Sequence, residues 1–312
     1  MSRKFVLHER WVSQATIGFL GATNPTVWST FFATFDKRLR ELNWVDGSNI
    51  AIEQEWAEGD PSRHAELAKK FAALDVDVIV TSGTQAVLAA MQQAKKTPIV
   101  FASAGDPVGT KLVESLERPG GYVTGLSNGQ TDLARRRLDE LRRMVPDLKR
   151  LAILGNLGSS VIPLEINEID KWASSQQPPI ALVKCDVREP KRIGPTIKQL
   201  GGQVGALYVC TDPFITTHRV AINTAAACAR LPTMQAFYEY VEAGGLMSYG
   251  PDFRAMFGRA ADLVDRILRG TKPEDIPVEV QEDFELVINE NTAYALGLAI
   301  PDEARKRAKI IR

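Results

Sequence analysis

DVIVTSGTQAVLAAMQQAKKTPIVFASAGDP, from Asp77 to Pro107, holds two short apolar runs separated by a helical spacing. Val78-Ile79-Val80 and Ile99-Val100-Phe101 are continuous β-branched or aromatic segments, the pattern of parallel strands buried on both faces. Between them Val87, Leu88 and Met91 recur at the interval of one helix face. Strand, helix and strand in that order predict a right-handed parallel crossover. Ligands of such sheets bind beyond the carboxyl ends of the strands. Here those ends are Thr81-Ser82-Gly83-Thr84 and Ala102-Ser103-Ala104-Gly105-Asp106, with small side chains, hydroxyls and one carboxylate. A helix starting near Thr84 turns its free N–H groups and the positive end of its dipole toward the same place, which suits a bound carboxylate. Plain helix capping by Ser82 or Thr84 fits the same residues.

Outward from this unit, the chain alternates strand and helix. Thr16–Gly21 reads as a buried strand ending in the small loop Gly21-Ala22-Thr23-Asn24-Pro25. From Val27 to Leu42, apolar residues Val27, Phe31, Phe32, Phe35, Leu39 and Leu42 mark an amphipathic helix. Trp28 lies near its start, at the edge that carries the polar loops, placed either to cover a ligand or to pack on a neighbour. Ile50–Trp56 alternates as a second strand, and Asp60-Pro61 opens the next helix as cap and first residue. The Gly-rich segment from Pro119 to Leu126 reads as a connection crossing between domains.

The pattern then restarts. Leu133–Met144 and Val161–Ser175 read as helices, and Leu151–Gly155, Ile180–Val183 and Ala206–Cys210 as strands. Again small or polar residues follow the strands: Asn156 and Ser159 in one loop, Asp212 in the other. Val278–Val280 and Phe284–Ile288 give the last strands, and the charged tail from Asp302 is expected to fray or finish a terminal helix. The fold class expected is α/β, two Rossmann-like lobes with parallel sheets joined by a hinge. The boundaries expected are 1–126 with 250–275 for the N-terminal lobe and 127–249 with 276–312 for the C-terminal lobe, with hinge strands near Gly125 and Ser248.

Composition narrows the function. The 312 residues carry 38 acidic and 38 basic side chains, so no bulk field attracts nucleic acid or an anionic membrane. Cys185, Cys210 and Cys228 are widely spaced, with no CxxC pair and only three histidines in the chain, which supports neither a zinc site nor a disulfide framework. No metal and no cofactor is expected. The first residues, MSRKFVLHERWVSQATIGFLG, lack the apolar core of a signal peptide. No apolar run reaches the roughly 20 residues of a membrane span. No nucleophile elbow, phosphate-binding loop or metalloprotease pair follows a predicted strand. Asp106 and Asp212, one per lobe, leave a paired-carboxylate enzyme conceivable, but turn and cap chemistry explains each singly. The three histidines, His8, His64 and His218, fall in the leader and on predicted helices. A binding protein rather than an enzyme is the expectation.

The order and spacing of the motifs resemble a known family. Ile17-Gly18-Phe19 before a long helix, Glu58-Gly59-Asp60, Ser82-Gly83-Thr84 followed by Pro98-Ile99-Val100-Phe101, Asp106-Pro107-Val108 and Pro119-Gly120-Gly121-Tyr122-Val123-Thr124-Gly125 carry the likeness in the first half. Leu207-Tyr208-Val209 with Asp212, Ile267-Leu268-Arg269-Gly270, Ile276-Pro277-Val278, Asn289 and Leu296-Gly297 extend it. Across roughly Ile17 to Pro301 the chain resembles the ABC-transporter substrate-binding proteins related to the tryptophan and aromatic amino-acid binding proteins, with the type I periplasmic-binding fold. The resemblance implies a monomeric receptor outside the cytoplasmic membrane that closes on a solute and presents it to ABC permease membrane subunits.

It further implies that hydroxyls and amides at Ser82, Gly83 and Thr84 hold a ligand carboxylate, with the second lobe contributing near Asn156, Ser159 and Asp212. An aspartate there can receive an ammonium. Ala22, Ser103 and Asp106 complete the expected ligand set of the first lobe. Trp28, Phe237, Tyr238 and Tyr249 offer aromatic rings, so an aromatic acid or amino acid is the expected ligand. The alternative is a cytosolic small-molecule sensor of the same fold without a transport role.

Overall fold

The computed structural model describes residues 14–312; the expectations about the leader and His8 lie outside the described residues. The chain divides into two compact units. One holds the described residues up to Leu126 with Arg254–Glu279, the other Ser127–Phe253 with Val280–Arg312.

The first unit contains β1 (Ala15–Gly21), α1 (Pro25–Glu41), β2 (Ile50–Trp56), α2 (Pro61–Leu74), β3 (Val78–Thr81), α3 (Thr84–Gln93), β4 (Ile99–Ala104) and β5 (Val123–Ser127). The second continues with α4 (Ala134–Met144), β6 (Arg150–Gly155), α5 (Ile162–Ser175), β7 (Ala181–Asp186), α6 (Pro190–Leu200) and β8 (Ala206–Val209). It goes on through α7 (Pro213–Thr217), α8 (Arg219–Cys228), β9 (Thr233–Gln235), α9 (Tyr238–Glu242) and β10 (Met247–Pro251). After α10 (Phe253–Leu268) and a 3-10 turn come β11 (Glu279–Val280), β12 (Phe284–Asn289), α11 (Glu290–Ala295), α12 (Asp302–Arg307) and β13 (Lys309–Ile311).

Both sheets are wound the same way. The six-stranded sheet runs β11-β5-β4-β3-β1-β2, and the seven-stranded one β13-β12-β10-β9-β8-β6-β7. Without the late additions each has its first strand between its second and third. The winding direction therefore reverses between β1 and β3 in one unit and between β6 and β8 in the other, the switch points at which such sheets take ligands. The registered pairs β1–β3, β3–β4, β6–β8 and β8–β9 are all parallel, while β10 and β12 pair antiparallel.

The local causes are in the sequence. The Asn24 side chain accepts the Val27 amide at 2.9 Å, Pro25 occupies the first turn, and Phe31, Phe35 and Leu39 bury one face of α1. Phe19 of β1 meets Phe32 and Phe35 at ring-centroid distances of 5.0 and 5.7 Å. Each such ring buried contributes about 1.5–3 kcal/mol. In the second unit, Leu138, Leu141 and Met144 of α4 and Ile162, Ile169 and Trp172 of α5 pack with Leu151, Ile153, Tyr208 and Met234 of the sheet.

The structure refines three expectations. The segment 119–126, read as a connection crossing between domains, leads to the passage from one unit to the other at 126–127, and within it the chain forms β5 over 123–127, buried along its whole length and next to β4 in the sheet. Ser248 sits inside β10, registered with Gln235 on one side and Val287 on the other. After the crossing at 126–127, the chain passes between the units again at 253–254 and 279–280, after β10 has completed the second sheet and where β11 ends the first. The charged tail neither frays nor ends as helix, because after α12 residues 309–311 add β13 in parallel to β12.

Candidate ligand-binding site

In the first unit the polar residues gather where β1, β3 and β4 end. Ala22 is fully buried, and its carbonyl accepts the Gly59 amide at 2.9 Å, while the Thr23 carbonyl accepts Glu58 at the same distance. Ser82, Thr84 and Ser103 are all buried. Gly83 caps α3 with a φ of +88°, a conformation that favours glycine, and no side chain caps the helix. Its own amide is not available to a ligand, since it donates to the Ser103 carbonyl at 2.8 Å. The first amides of the helix, Thr84 and Gln85, are ones that an α-helix leaves without internal acceptors. The Thr84 hydroxyl accepts the Gly105 amide at 3.3 Å, tying the ends of β3 and β4 together.

Asp106 performs the turn chemistry that the sequence left open. Its Oδ1 accepts the Gly109 amide at 2.8 Å, and its carbonyl accepts the Thr110 amide at 2.9 Å. Trp28 is enclosed edge-on by Phe19, Phe31, Trp56 and Phe257, with centroids 5.1–6.4 Å apart, so its ring belongs to the aromatic core of the unit.

In the second unit Asn156, Ser159 and Asp212 follow β6 and β8, on the two sides of the switch point. Asn156 Oδ1 accepts the Gly158 amide at 3.1 Å, and its carbonyl accepts the Ser159 amide at 2.9 Å. Asp212 is buried; Oδ1 accepts the Ile215 amide at 2.8 Å and caps α7, whereas Oδ2 is buried without a hydrogen-bond partner. Burial pushes its carboxyl up to about 7, opposed by the nearby amides of Ile215, Phe214 and Asn156 and reinforced by Glu165. Phe237, after β9, is buried against Phe253 at 4.5 Å. Tyr249 is placed elsewhere than at a strand-end loop: it lies within β10 against the helix-covered core, 5.9 Å from the Phe284 ring. Its side chain follows the Met247 face of the strand, which explains why it is not offered to the loops.

Four residues that the sequence reading passed over lie close behind Asp212. Arg137, Glu165, Tyr208 and Gln130 are buried and joined by hydrogen bonds. A signal existed. Arg137 stands four and seven residues before Leu141 and Met144, and Glu165 lies between Ile162 and Ile169 at helical intervals, so both charges sit on the apolar faces of their helices.

No group of three or more His, Cys, Asp or Glu side chains that could hold a metal ion is formed among the described residues, and no helix among them is long and apolar enough to cross a membrane.

Comparison with known proteins is consistent with this geometry. A tyrosine-binding protein of Clostridioides difficile is 27% identical over 264 residues, covering 85% of this chain and 75% of the relative. The crystal structure of a conserved domain protein from Vibrio cholerae superposes with a TM-score of 0.89 at 26% identity, over 96% of this chain and 100% of the other. An ABC domain from Streptococcus pneumoniae in complex with L-Trp gives a TM-score of 0.88 at 25% identity, with 96% and 100% covered. The fold is that of the type I periplasmic-binding proteins. The family described as ABC transporter substrate binding protein matches residues 30–311, and the chain belongs to it.

Proposed function

We propose that the protein captures an aromatic amino acid and delivers it to the membrane subunits of an ABC importer. The observation that carries this reading is Asp212, a buried carboxylate at a sheet switch point with one oxygen fixed by the Ile215 amide and the other unpartnered. An α-ammonium group supplies the missing donor, and such a charge-assisted bond contributes about 1.5–3 kcal/mol. In the first unit the Ser82 and Thr84 hydroxyls and the opening amides of α3 suit a carboxylate, the other charged group of an amino acid. Asn156, Ser159 and Phe237 stand at strand ends of the second unit and Ser103 at a strand end of the first. The preference for an aromatic side chain is supported by the relatives, one a tyrosine-binding protein and one solved with L-Trp.

Nothing in this mechanism breaks or makes a covalent bond. The protein acts as a receptor, monomeric, on the outer side of the cytoplasmic membrane, and the bound solute passes to the permease unchanged.

Calorimetric titration with L-tyrosine, L-tryptophan and L-phenylalanine tests the reading. At least one binds, and Ser82→Ala/Thr84→Ala and Asp212→Asn each weaken that binding tenfold or more. Absence of binding to all three, or variants that bind like the parent, overturns it.

A further inference from the structure

Behind Asp212 the second unit holds buried charge that direct contact with a solute does not use. Arg137 of α4 and Glu165 of α5 are each 1% exposed, and Nη1 of the arginine lies 3.3 Å from Oε1 of the glutamate. The Tyr208 hydroxyl donates to Oε1 at 2.7 Å, and Gln130 Nε2 donates to Oε2 at 2.8 Å and to the Thr211 carbonyl at 3.0 Å. Three donors aimed at two oxygens fit an ionised carboxylate. Arg137 also gives Nε to the Tyr249 carbonyl at 2.8 Å and Nη1 to the Gln130 carbonyl at 3.0 Å, while Nη2 has no partner. A β-carbon built on Gly250 would stand 3.6 Å from Nη2, which puts the guanidinium at the carboxyl end of β10.

The charges do not balance: one buried cation faces two buried carboxylates, Glu165 and Asp212. The remaining buried acid of the unit, Glu140, is answered by Arg307 at 3.1 and 3.2 Å and by Arg143. Arg219, at the start of α8, is partly buried: Nη1 donates to the Thr216 carbonyl at 3.1 Å, and Nε is enclosed on the side of the Tyr240 hydroxyl. Around Asp212 the Cys210 thiol and the Tyr240 hydroxyl are held neutral, both pushed up by burial, and the Asn156 side chain carries no charge. His218, at the far end of α7, packs on Phe214 at 4.8 Å and is held down by burial. An unbalanced buried charge is costly, and among its fully buried groups the layer is one positive charge short.

We propose that the Arg137–Glu165 pair behind Asp212 makes this subsite selective for solutes bearing a cationic amine, with Glu165 as the positioning residue that acts through Gln130 and the Thr211 carbonyl without touching the solute. The proposal rests on the reading that Asp212 receives the ammonium. Without a solute the Asp212 carboxyl answers the imbalance by keeping a proton. The arriving ammonium replaces that proton, which leaves to the buffer, and the carboxylate then pairs with the amine.

Titration of L-phenylalanine and 3-phenylpropionate at pH 6, in buffers of different ionisation enthalpy, provides the test. The parent protein releases close to one proton with the amino acid, as a carboxyl titrating near 7 requires, and prefers it over the des-amino acid. Glu165→Gln cuts both the proton release and the preference at least fivefold. Asp212→Asn removes both. If Glu165→Gln stays folded and keeps the parent's preference and proton release while Asp212→Asn loses them, the proposal is overturned and the binding reading stands. Should Asp212→Asn keep the preference, the binding reading itself fails. If Glu165→Gln does not fold, Gln130→Leu, which cuts the link from Glu165 to the Thr211 carbonyl, decides: a fivefold loss of proton release and preference supports the proposal, and parental values overturn it.

Discussion

The Ile215 amide donates to Asp212 Oδ1 at 2.8 Å, so the residue that caps α7 is also the buried acid whose second oxygen is left open. Stability therefore depends on pH in a direction opposite to that of most carboxylates. The folded protein holds the Asp212 proton up to about 7, against 3.8 for an ordinary aspartate. Between those values the folded state binds more protons than the unfolded chain, so stability falls as pH rises, by up to about 1.4 kcal/mol per unit. Asp212→Asn keeps the cap and loses the titration. Urea denaturation of the solute-free protein from pH 4 to 8 is expected to show the parent losing on the order of 3 kcal/mol relative to this variant, and parallel profiles would refute the assignment.

His64 contributes with the reverse sign. It is 1% exposed, and neither ring nitrogen meets hydrogen-bond geometry, although the Ala22 carbonyl and Asp60 offset part of the effect of burial. Burial lowers it to about 4, so below 6.5 the unfolded chain takes a proton that the folded state resists, and stability falls as pH drops toward 4. In the parent this slope cancels much of that from Asp212. A His64→Leu variant is expected to uncover the Asp212 slope, becoming more stable than the parent by about 2 kcal/mol at pH 5 relative to pH 7.5.

Arg137 and Glu165 are expected to behave as a unit. Truncating the arginine alone in Arg137→Met leaves a buried carboxylate and costs about 3–5 kcal/mol. Removing both charges in Arg137→Met/Glu165→Leu costs less than the sum of the two single changes, because neither is left unpaired. A double-mutant cycle from urea midpoints measures the difference, and strict additivity would show that the pair is not coupled.

The strands of the two switch points were readable because each is a continuous apolar run with small polar residues beyond it: Thr16–Gly21, Val78–Val80, Leu151–Gly155, Ala206–Cys210. What escaped was set by partners distant in the chain. Residues 123–127 look like a loop because Gly125 interrupts the run, and only the approach to β4 makes them a strand. The face that Tyr249 occupies follows from the register of β10 on β12, which is not encoded locally. Arg137 and Glu165 were legible from helical period alone; three consecutive arginines at 135–137 masked the one that faces inward.

Gly125 marks a close approach of two strands. Its φ is +156°, and a β-carbon there would lie 2.2 Å from the Phe101 carbonyl oxygen of β4. That neighbour is backbone and cannot swing aside. Gly125→Ala is expected to cost about 3 kcal/mol through displacement of β5, and a urea midpoint unchanged from the parent would remove the argument.

Trp28 poses the sharpest choice between packing and binding. Phe19, Phe31, Trp56 and Phe257 surround its ring, and its indole N–H is buried with no acceptor. A buried donor left unpaired costs about 1–3 kcal/mol, an amount comparable with the apolar area that a smaller ring gives up. Trp28→Phe removes the donor and keeps an aromatic ring in the cluster, so the solute-free protein is expected to unfold within about 1 kcal/mol of the parent. If the residue serves only the core, calorimetric affinity for aromatic amino acids stays as it was. If the solute supplies the missing acceptor, the same variant keeps its urea midpoint and binds at least fivefold more weakly. Because Phe preserves the ring and deletes one N–H, the two measurements together separate the roles, and the enclosure of the ring by its four neighbours makes unchanged affinity the expected result.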